Sequence, residues 1–442
     1  MTDKIKVVMG WDIGYYDSMA CVGIIGNYYV KPLYLDNRDS QVVPSAVAKT
    51  RNGIIIIGKN ATNQQEFVTN FIQSPRDWDK KSSFDVPYRK HMSDFIKGLS
   101  ESILQNSSNR GTLRDVITQN DRGEMCWKKG EVLLVVSCPD SAEWKGEKIR
   151  EQYEEFVSET TGILNVKAID EPIATLFSLA GRDEKIDPEA GSLVLDLGSF
   201  EMKATYVLPE RETVNIIYKL GTQQVENAMM DYILKSEKVK GALAKVAEIY
   251  DEERVFAVPD EYTFFQLRMA MEDYYKSLTG EGELPWIRYM NFPIINEDGD
   301  KIYYFEFIDE EIEEAAVYLN FVVTDEMMQY AVDGYEFNTW KNGEVVGYGA
   351  WRQNFRQFLL DVEQTIGREN LPLRLVVIIG DSVLQFITEE VNDIFPKQDV
   401  IPIEPECTAE GLVIMGLYSR DQGRDWLGHL CHLYERDWGI ER

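Results

Sequence analysis

The chain carries the same punctuated β pattern twice. GWDIGYYDS (10–18) and VLDLGSFEM (194–202) each run an apolar strand into Asp-x-Gly and resume at once as a second strand. Glycine at such a point marks a tight turn. Further strands follow both copies: ACVGIIGN, YYVKPLYL and QVVPSAVAK continue the first over 5–49, and EMKATYVL and TVNIIYKLG continue the second up to Gly221. Each set reads as a β-meander. One Asp-x-Gly is an ordinary strand end. Two copies in matching places point to a duplicated α/β unit, and halves that face each other bring two turns and two carboxylates, Asp12 and Asp196, to one crevice, where backbone amides can hold phosphate oxygens and carboxylates a hydrated Mg²⁺.

Beyond each meander, strand and helix alternate. EVLLVVSCP (131–139) is a nearly continuous apolar run, as in a strand covered on both faces. The helical stretch SAEWKGEKIREQYEEFVSET comes next, then the strand ILNVKAI and a helix opening at Glu171, where Pro172 suits the first turn. The polar stretch GRDEKIDPEAGS separates the halves. Helices are expected over 64–107, 222–250 and 259–278, and the acidic run IDEEIEEAAVYL (308–319) is a further helix candidate. WRQNFRQFLLDVEQTIG, LRLVVIIG, SVLQFITEEVNDIF and VIPI read helix, strand, helix, strand. An amphipathic helix is expected over 418–442. The aromatic residues Trp286, Tyr289, Phe292, Tyr303, Tyr304, Phe305 and Phe307 read as core packing.

Charge narrows the partners. With 75 acidic against 46 basic residues the formal charge is −29, which repels nucleic acid and anionic membrane surfaces. No apolar run reaches the roughly 18 residues of a spanning helix, and MTDKIKVVMGWDIG lacks the core of a signal peptide, so a cytoplasmic location is expected. Five scattered cysteines suit reduced thiols. Only three histidines occur, which argues against Ser-His or Cys-His catalysis. HLCH (429–432) reads as part of an ordinary terminal helix.

Taken in order, VVMGWDIG, VVPSAVA, VVSCPDSAEWKGEKIREQYEEFVSETTGI, AIDEPIATLFSLA, VLDLG, LRMAMEDYYKSL, VVIIGDSVLQFITEEVNDIFP and EPECTAEGLVIMG resemble the ATPase domain of the seventy-kilodalton (DnaK-type) heat-shock chaperones, within the actin and hexokinase superfamily. The resemblance runs nearly end to end. It implies an α/β, two-lobed actin-like ATPase fold of duplicated ribonuclease-H-like halves: lobe I over 1–190, lobe II over 191–417 with a divergent subdomain at about 284–350, and a helical tail over 418–442. It also implies ATP or ADP with Mg²⁺ as cofactors.

Residue by residue, Asp12 and Asp196 look like the carboxylates that hold Mg²⁺ through water, and Glu171 like the acidic residue that helps place the attacking water. Gly14, Gly198, Ser199 and Gly221 fall at the family's phosphate turns. Glu272 and Lys276 resemble its ribose and adenine contacts, with Tyr275 at a position that is basic in the family and Gly380 and Ser382 at its third turn. Pro139 looks like the hinge proline. Departures cluster at the phosphates: Tyr15 and Tyr16 stand where the family has small hydroxyl residues, Arg76 in QSPRDWDKK is the nearest stand-in for the catalytic lysine, and Val383 and Leu384 replace an arginine. In the second turn, Phe200, Glu201 and Lys203 occupy places the family gives to small residues and an aspartate. A glutamate about 4 Å from a phosphate would be repelled by roughly 4 kcal/mol at an effective dielectric near 20. Lys203, on the same strand face, has the sign to offset it.

This pattern supports two functions. One is an Mg-ATP-binding module with slow or impaired hydrolysis whose lobe closure acts on a partner protein. The alternative is a pseudo-ATPase scaffold that turns over no nucleotide. A sugar-kinase role lacks a stretch to supply an acceptor site, and a filament-forming relative shares only the fold. The resemblance implies no counterpart of the family's peptide-binding domain after the ATPase domain, so independent grasp of unfolded peptides is not expected, and what the nucleotide state controls is expected to lie in another protein or in the divergent region at about 284–350.

Overall fold

The computed structural model describes residues 4–36, 40–50, 52–64, 67–82, 85–139, 143–144, 146–182, 190–208, 214–279, 288–305, 312–314, 316–380, 386–403 and 406–418. The fold is mixed α/β. Two central sheets have the same strand order. In the first, β1 (Val7–Ile13), β2 (Asp17–Ile24), β3 (Asn27–Pro32), β4 (Val132–Cys138) and β5 (Asn165–Asp170) run β5-β4-β1-β2-β3, with Val42–Pro44 added antiparallel to β2. In the second, β6 (Ser192–Leu197), β7 (Met202–Val207), β8 (Val214–Tyr218), β9 (Leu375–Gly380) and β10 (Asp399–Pro402) run β8-β7-β6-β9-β10. Each sheet is antiparallel through its meander and parallel beyond it. Short turns can join only antiparallel neighbours, while parallel neighbours need a helical crossover.

Alternation along the strands sorts the core. Val7, Met9, Trp11 and Ile13 of β1 pack with Phe95 of α1 (Tyr88–Gln105) and with Tyr153 and Phe156 of α2 (Glu147–Thr161), whereas Val8 faces the opposite way. The second sheet repeats this: Leu193, Leu195 and Leu197 meet Phe355 and Phe358 of the helix Trp351–Arg368, while Val194 faces the other side. Between the sheets lie α3 (Glu171–Arg182) and the last described helix, here α6 (Glu406–Tyr418), sharing one core with Val8, Val135, Val194 and Val377. α6 buries residues on all sides, as a helix enclosed between layers must. A Cβ at its Gly411 would sit 1.7 Å from the Ala174 carbonyl, so only glycine permits this approach. Thr175 and Thr408 hydroxyls meet at 3.1 Å across the contact, and Ser178 and Arg182 both donate to Glu410.

Two local expectations give way to tertiary structure. The helix expected from 64 begins only at Tyr88, because a strand pair, Phe67–Val68 on Val47–Lys49, and a turn around Pro75 intervene. IDEEIEEAAVYL is strand where described, at Ile312–Glu314 and from Ala316 onward, with Val317 opposite the fully buried Phe292. Like charges spaced i,i+3 and i,i+4 weaken a helix, and pairing of Ile312–Glu314 to Tyr303–Phe305 and of Ala316–Phe321 to Arg288–Asn296 supplies the alternative. Of the aromatic set in this region, Phe292 is core; the side chains of the others lie outside the described residues, as does the tail beyond Tyr418 with HLCH. Among the described residues no helix is long and apolar enough to cross a membrane.

Candidate functional site

Both Asp-x-Gly turns are hairpins closed on themselves. Gly14 N–H donates to the Asp17 carbonyl at 3.1 Å, and a Cβ there would stand 2.7 Å from that oxygen. At Gly198 the corresponding obstacle is the Glu201 carbonyl at 2.9 Å. Hairpin closure alone therefore demands both glycines. The second turn is also capped by α4 (Thr222–Leu234): the Thr222 and Gln223 amides donate to the Gly198 and Ser199 carbonyls, and Gly221 N–H donates to Gln224 Oε1 at 2.7 Å.

The two turns open on one cavity of about 560 Å³. Asp12, Glu171 and Asp196 line it, with Gly14, Gly198, Ser199, Glu201, Lys203, Gly380 and Pro139. Asp12 is the penultimate residue of β1, beside Ser137 of β4. Burial, reinforced by the Asp196 charge and opposed by the Ser137 hydrogen bond, pushes its carboxyl up to about 6. Lys203 stands directly opposite Asp196 in the β6–β7 ladder. Only 6% exposed, its ammonium lies 3.6 Å from Asp196 Oδ2 and 3.6 Å from Glu201 Oε1. Lys219 completes the group at 2.8 Å from Glu201 Oε2. The Glu201–Lys203 pairing expected from strand alternation is thus present, and Asp196 belongs to it.

Tyr15 crosses from the first hairpin to the second, its ring edge-on to Phe200 at 5.3 Å between centroids. Burial raises its hydroxyl to about 12; Lys203 opposes this, while Glu201, Glu143 and Glu171 add to it. At neutral pH it is a neutral O–H set among carboxylates. Tyr16 reaches the second sheet's helices: its hydroxyl donates to Glu226 Oε1 of α4 at 3.2 Å. Arg268, on α5 (Glu261–Thr279), donates to the same oxygen at 2.8 Å and lies 3.8 Å over the Tyr16 ring. Together these form a latch across the cleft. Tyr16→Phe removes one of its bonds and is expected to cost about 1 kcal/mol, measurable as a lower denaturant midpoint at unchanged slope.

The tyrosines are also a partition. Tyr15, Tyr16 and Asp17 line both the large cavity and a smaller one that contains Glu272. Glu272 is therefore separated by this wall from the acidic turns it was expected to serve. Tyr275 is turned toward the core, its hydroxyl 3.7 Å from Met328 Sδ. Lys276 lies on α5 with its side chain outside the described residues, and Ser382 lies outside them altogether. Arg76 is exposed in the turn after Ser74, while its neighbours Gln73, Ser74 and Asp77 line the cavity. Sequence reasoning passed over Ser137, Lys219, Glu226 and Arg268. Ser137 alone left a signal, as the one polar residue inside the apolar run VLLVVSC.

A scan against protein-family models finds no match to this chain, and no curated protein matches its sequence.

Proposed function

We propose that this chain is a divergent, chaperone-like relative of the seventy-kilodalton heat-shock ATPase domain on the two-lobed actin-like fold, and that it acts as a pseudo-ATPase: a cytoplasmic interaction scaffold for a protein partner. The observation that carries this reading is the Lys203 ammonium between Asp196 and Glu201. A divalent ion held through Asp12 and Asp196 would have to share Asp196 with a positive charge already in place. Among the described residues no three His, Cys, Asp or Glu side chains gather as a metal site. The residues fit a tethered monovalent cation, and they do not fit hydrated Mg²⁺. Tyr15 adds bulk between the turns, and the Tyr16 latch ties the first hairpin to α4 and α5. The repeated strand order and the two facing hairpins support the fold part of the proposal.

A second reading, Mg-ATP binding with slow hydrolysis, has one observation in its favour. The cavity of about 560 Å³ falls within the roughly 300–1,000 Å³ of small-molecule sites and retains all three carboxylates. Thermal melting with millimolar Mg-ATP separates the two. The scaffold reading expects no shift, whereas a ligand at about 100 times its dissociation constant adds about 2.7 kcal/mol and a clear rise in Tm. Such a rise overturns the scaffold reading, and phosphate release then distinguishes binding from turnover.

A further inference from the structure

Where β8 ends, a hairpin continues its edge. Phe337–Lys341 pairs antiparallel with Glu344–Gly349, and Lys219 N–H, one residue past β8, donates to the Trp340 carbonyl at 2.7 Å. The turn is Asn342-Gly343, both at positive φ, a two-residue connection that matches strand twist and fixes the register. Alternation then assigns two faces. The inner one is held to the helix Trp351–Arg368: Lys341 pairs with Asp361, Asn354 Nδ2 donates to the Gly349 carbonyl at 2.9 Å, and Thr339 is buried. Asn338, Trp340, Val345 and Tyr348 share the outer face. It is open to solvent, with Trp340 42% exposed, Val345 49% and Tyr348 62%. Trp11, Trp78, Trp127, Trp144 and Trp351 are all buried, so Trp340 is the exception among the described tryptophans. An apolar sheet face normally packs on another element.

Charge selects the occupant. Glu336, hydrogen-bonded to the Tyr348 hydroxyl, and Glu344 beside the turn are both exposed. The two lysines of this ladder are engaged elsewhere, Lys341 with Asp361 and Lys219 with Glu201. A second copy would bring the same acids and another formal −29, and like charges oppose that approach.

We propose that the outer face of this hairpin docks an amphipathic, basic segment of a partner protein. The segment's apolar residues cover Trp340, Val345 and Tyr348, and its lysines or arginines meet Glu336 and Glu344. Tryptophan and tyrosine carry much of the energy of such contacts, because each buries a large, rigid surface. The proposal rests on the scaffold reading in taking a protein as the partner, and it gives that reading a place of contact. Lys219 joins this face to the larger cavity: its backbone holds the hairpin, and its ammonium holds Glu201.

The test uses the full chain with its nine tryptophans labelled at the indole nitrogen for NMR, the Trp340 signal being assigned by Trp340→Phe. Three peptides of equal length and helical amphipathic spacing serve as probes: leucine with lysine, leucine with glutamate, and serine with lysine. The leucine-lysine peptide should move the Trp340 signal saturably, with a dissociation constant on the order of 0.1 mM, as suits a patch well below the standard interface size. The other two should bind at least about tenfold more weakly, one lacking the complementary charge and the other the apolar contact. Trp340→Ala should weaken the leucine-lysine peptide at least about tenfold, as for a hot-spot side chain. Equal binding of either control peptide, an unmoved Trp340 signal, or undiminished binding to Trp340→Ala would each overturn the proposal. So would a Trp340 signal that moves with protein concentration alone, which assigns the face to a second copy. If Trp340→Ala fails to fold, the wild-type comparison of the three peptides decides. Melting with Mg-ATP tests the scaffold reading separately. A rise in Tm beside intact peptide binding overturns that reading and leaves the docking face standing, and no rise beside absent peptide binding does the reverse.

Discussion

Lys203→Ala should lower unfolding free energy by about 3–5 kcal/mol at neutral pH, the cost of stripping one partner from a buried ion pair. The lower end is expected, since the Asp196 and Glu201 side chains keep 13% and 15% exposure and Glu201 retains Lys219. Lys203→Met separates charge from packing, because methionine restores most of the apolar stem. Both variants should be destabilised, with Met the milder. Millimolar Mg²⁺ should recover part of the stability of Lys203→Ala and leave the wild type unchanged, because only the variant leaves Asp196 and Glu201 without the Lys203 ammonium. A Lys203→Met protein as stable as wild type would show that the ammonium does not serve these acids, and the scaffold reading would lose its main support.

Asp12→Asn should act in the opposite direction. In the unfolded chain this carboxyl titrates near 3.8, and in the folded protein burial carries it to about 6. Between those values the native state holds more protons than the unfolded state, so stability falls as pH rises through the window and levels off above it. The full penalty is about 3 kcal/mol at neutral pH. Asparagine cannot ionise and still accepts the hydrogen bond from Ser137. Urea melts should therefore find the variant more stable than wild type by up to about 3 kcal/mol at about pH 8 and nearly equal at about pH 4. A variant less stable than wild type at both values would place Asp12 in a network that needs its charge. Natural proteins keep such a penalty at sites with a function, which makes the sign of this result informative about the larger cavity as a whole.

Much of the architecture was legible because it follows from short-range pattern. The apolar run of β4, the alternation of β1 and β6, and the paired Asp-x-Gly turns are each set by a few consecutive residues. The placement of Glu201 beside Lys203 was legible for the same reason, since residues two apart on a strand share a face. IDEEIEEAAVYL misled because its intrinsic preference was overruled by strand partners, Tyr303–Phe305 for its acidic part and Arg288–Asn296 for the rest. The direction of Tyr275 was likewise decided by packing on Met328, which no local pattern encodes.

The amino-acid order by itself determined that two similar α/β halves would form, that each would turn at an Asp-x-Gly hairpin, and that acidic residues would stand at those turns. These are consequences of periodicity and turn chemistry, which act over a few residues. Only the tertiary structure decided that Tyr16 would meet Glu226 across 210 positions, that Arg268 would close on both, and that Glu272 would fall behind a tyrosine wall. Such meetings depend on how whole sheets and helices dock, and docking is governed by the summed burial of surfaces brought together from distant parts of the chain.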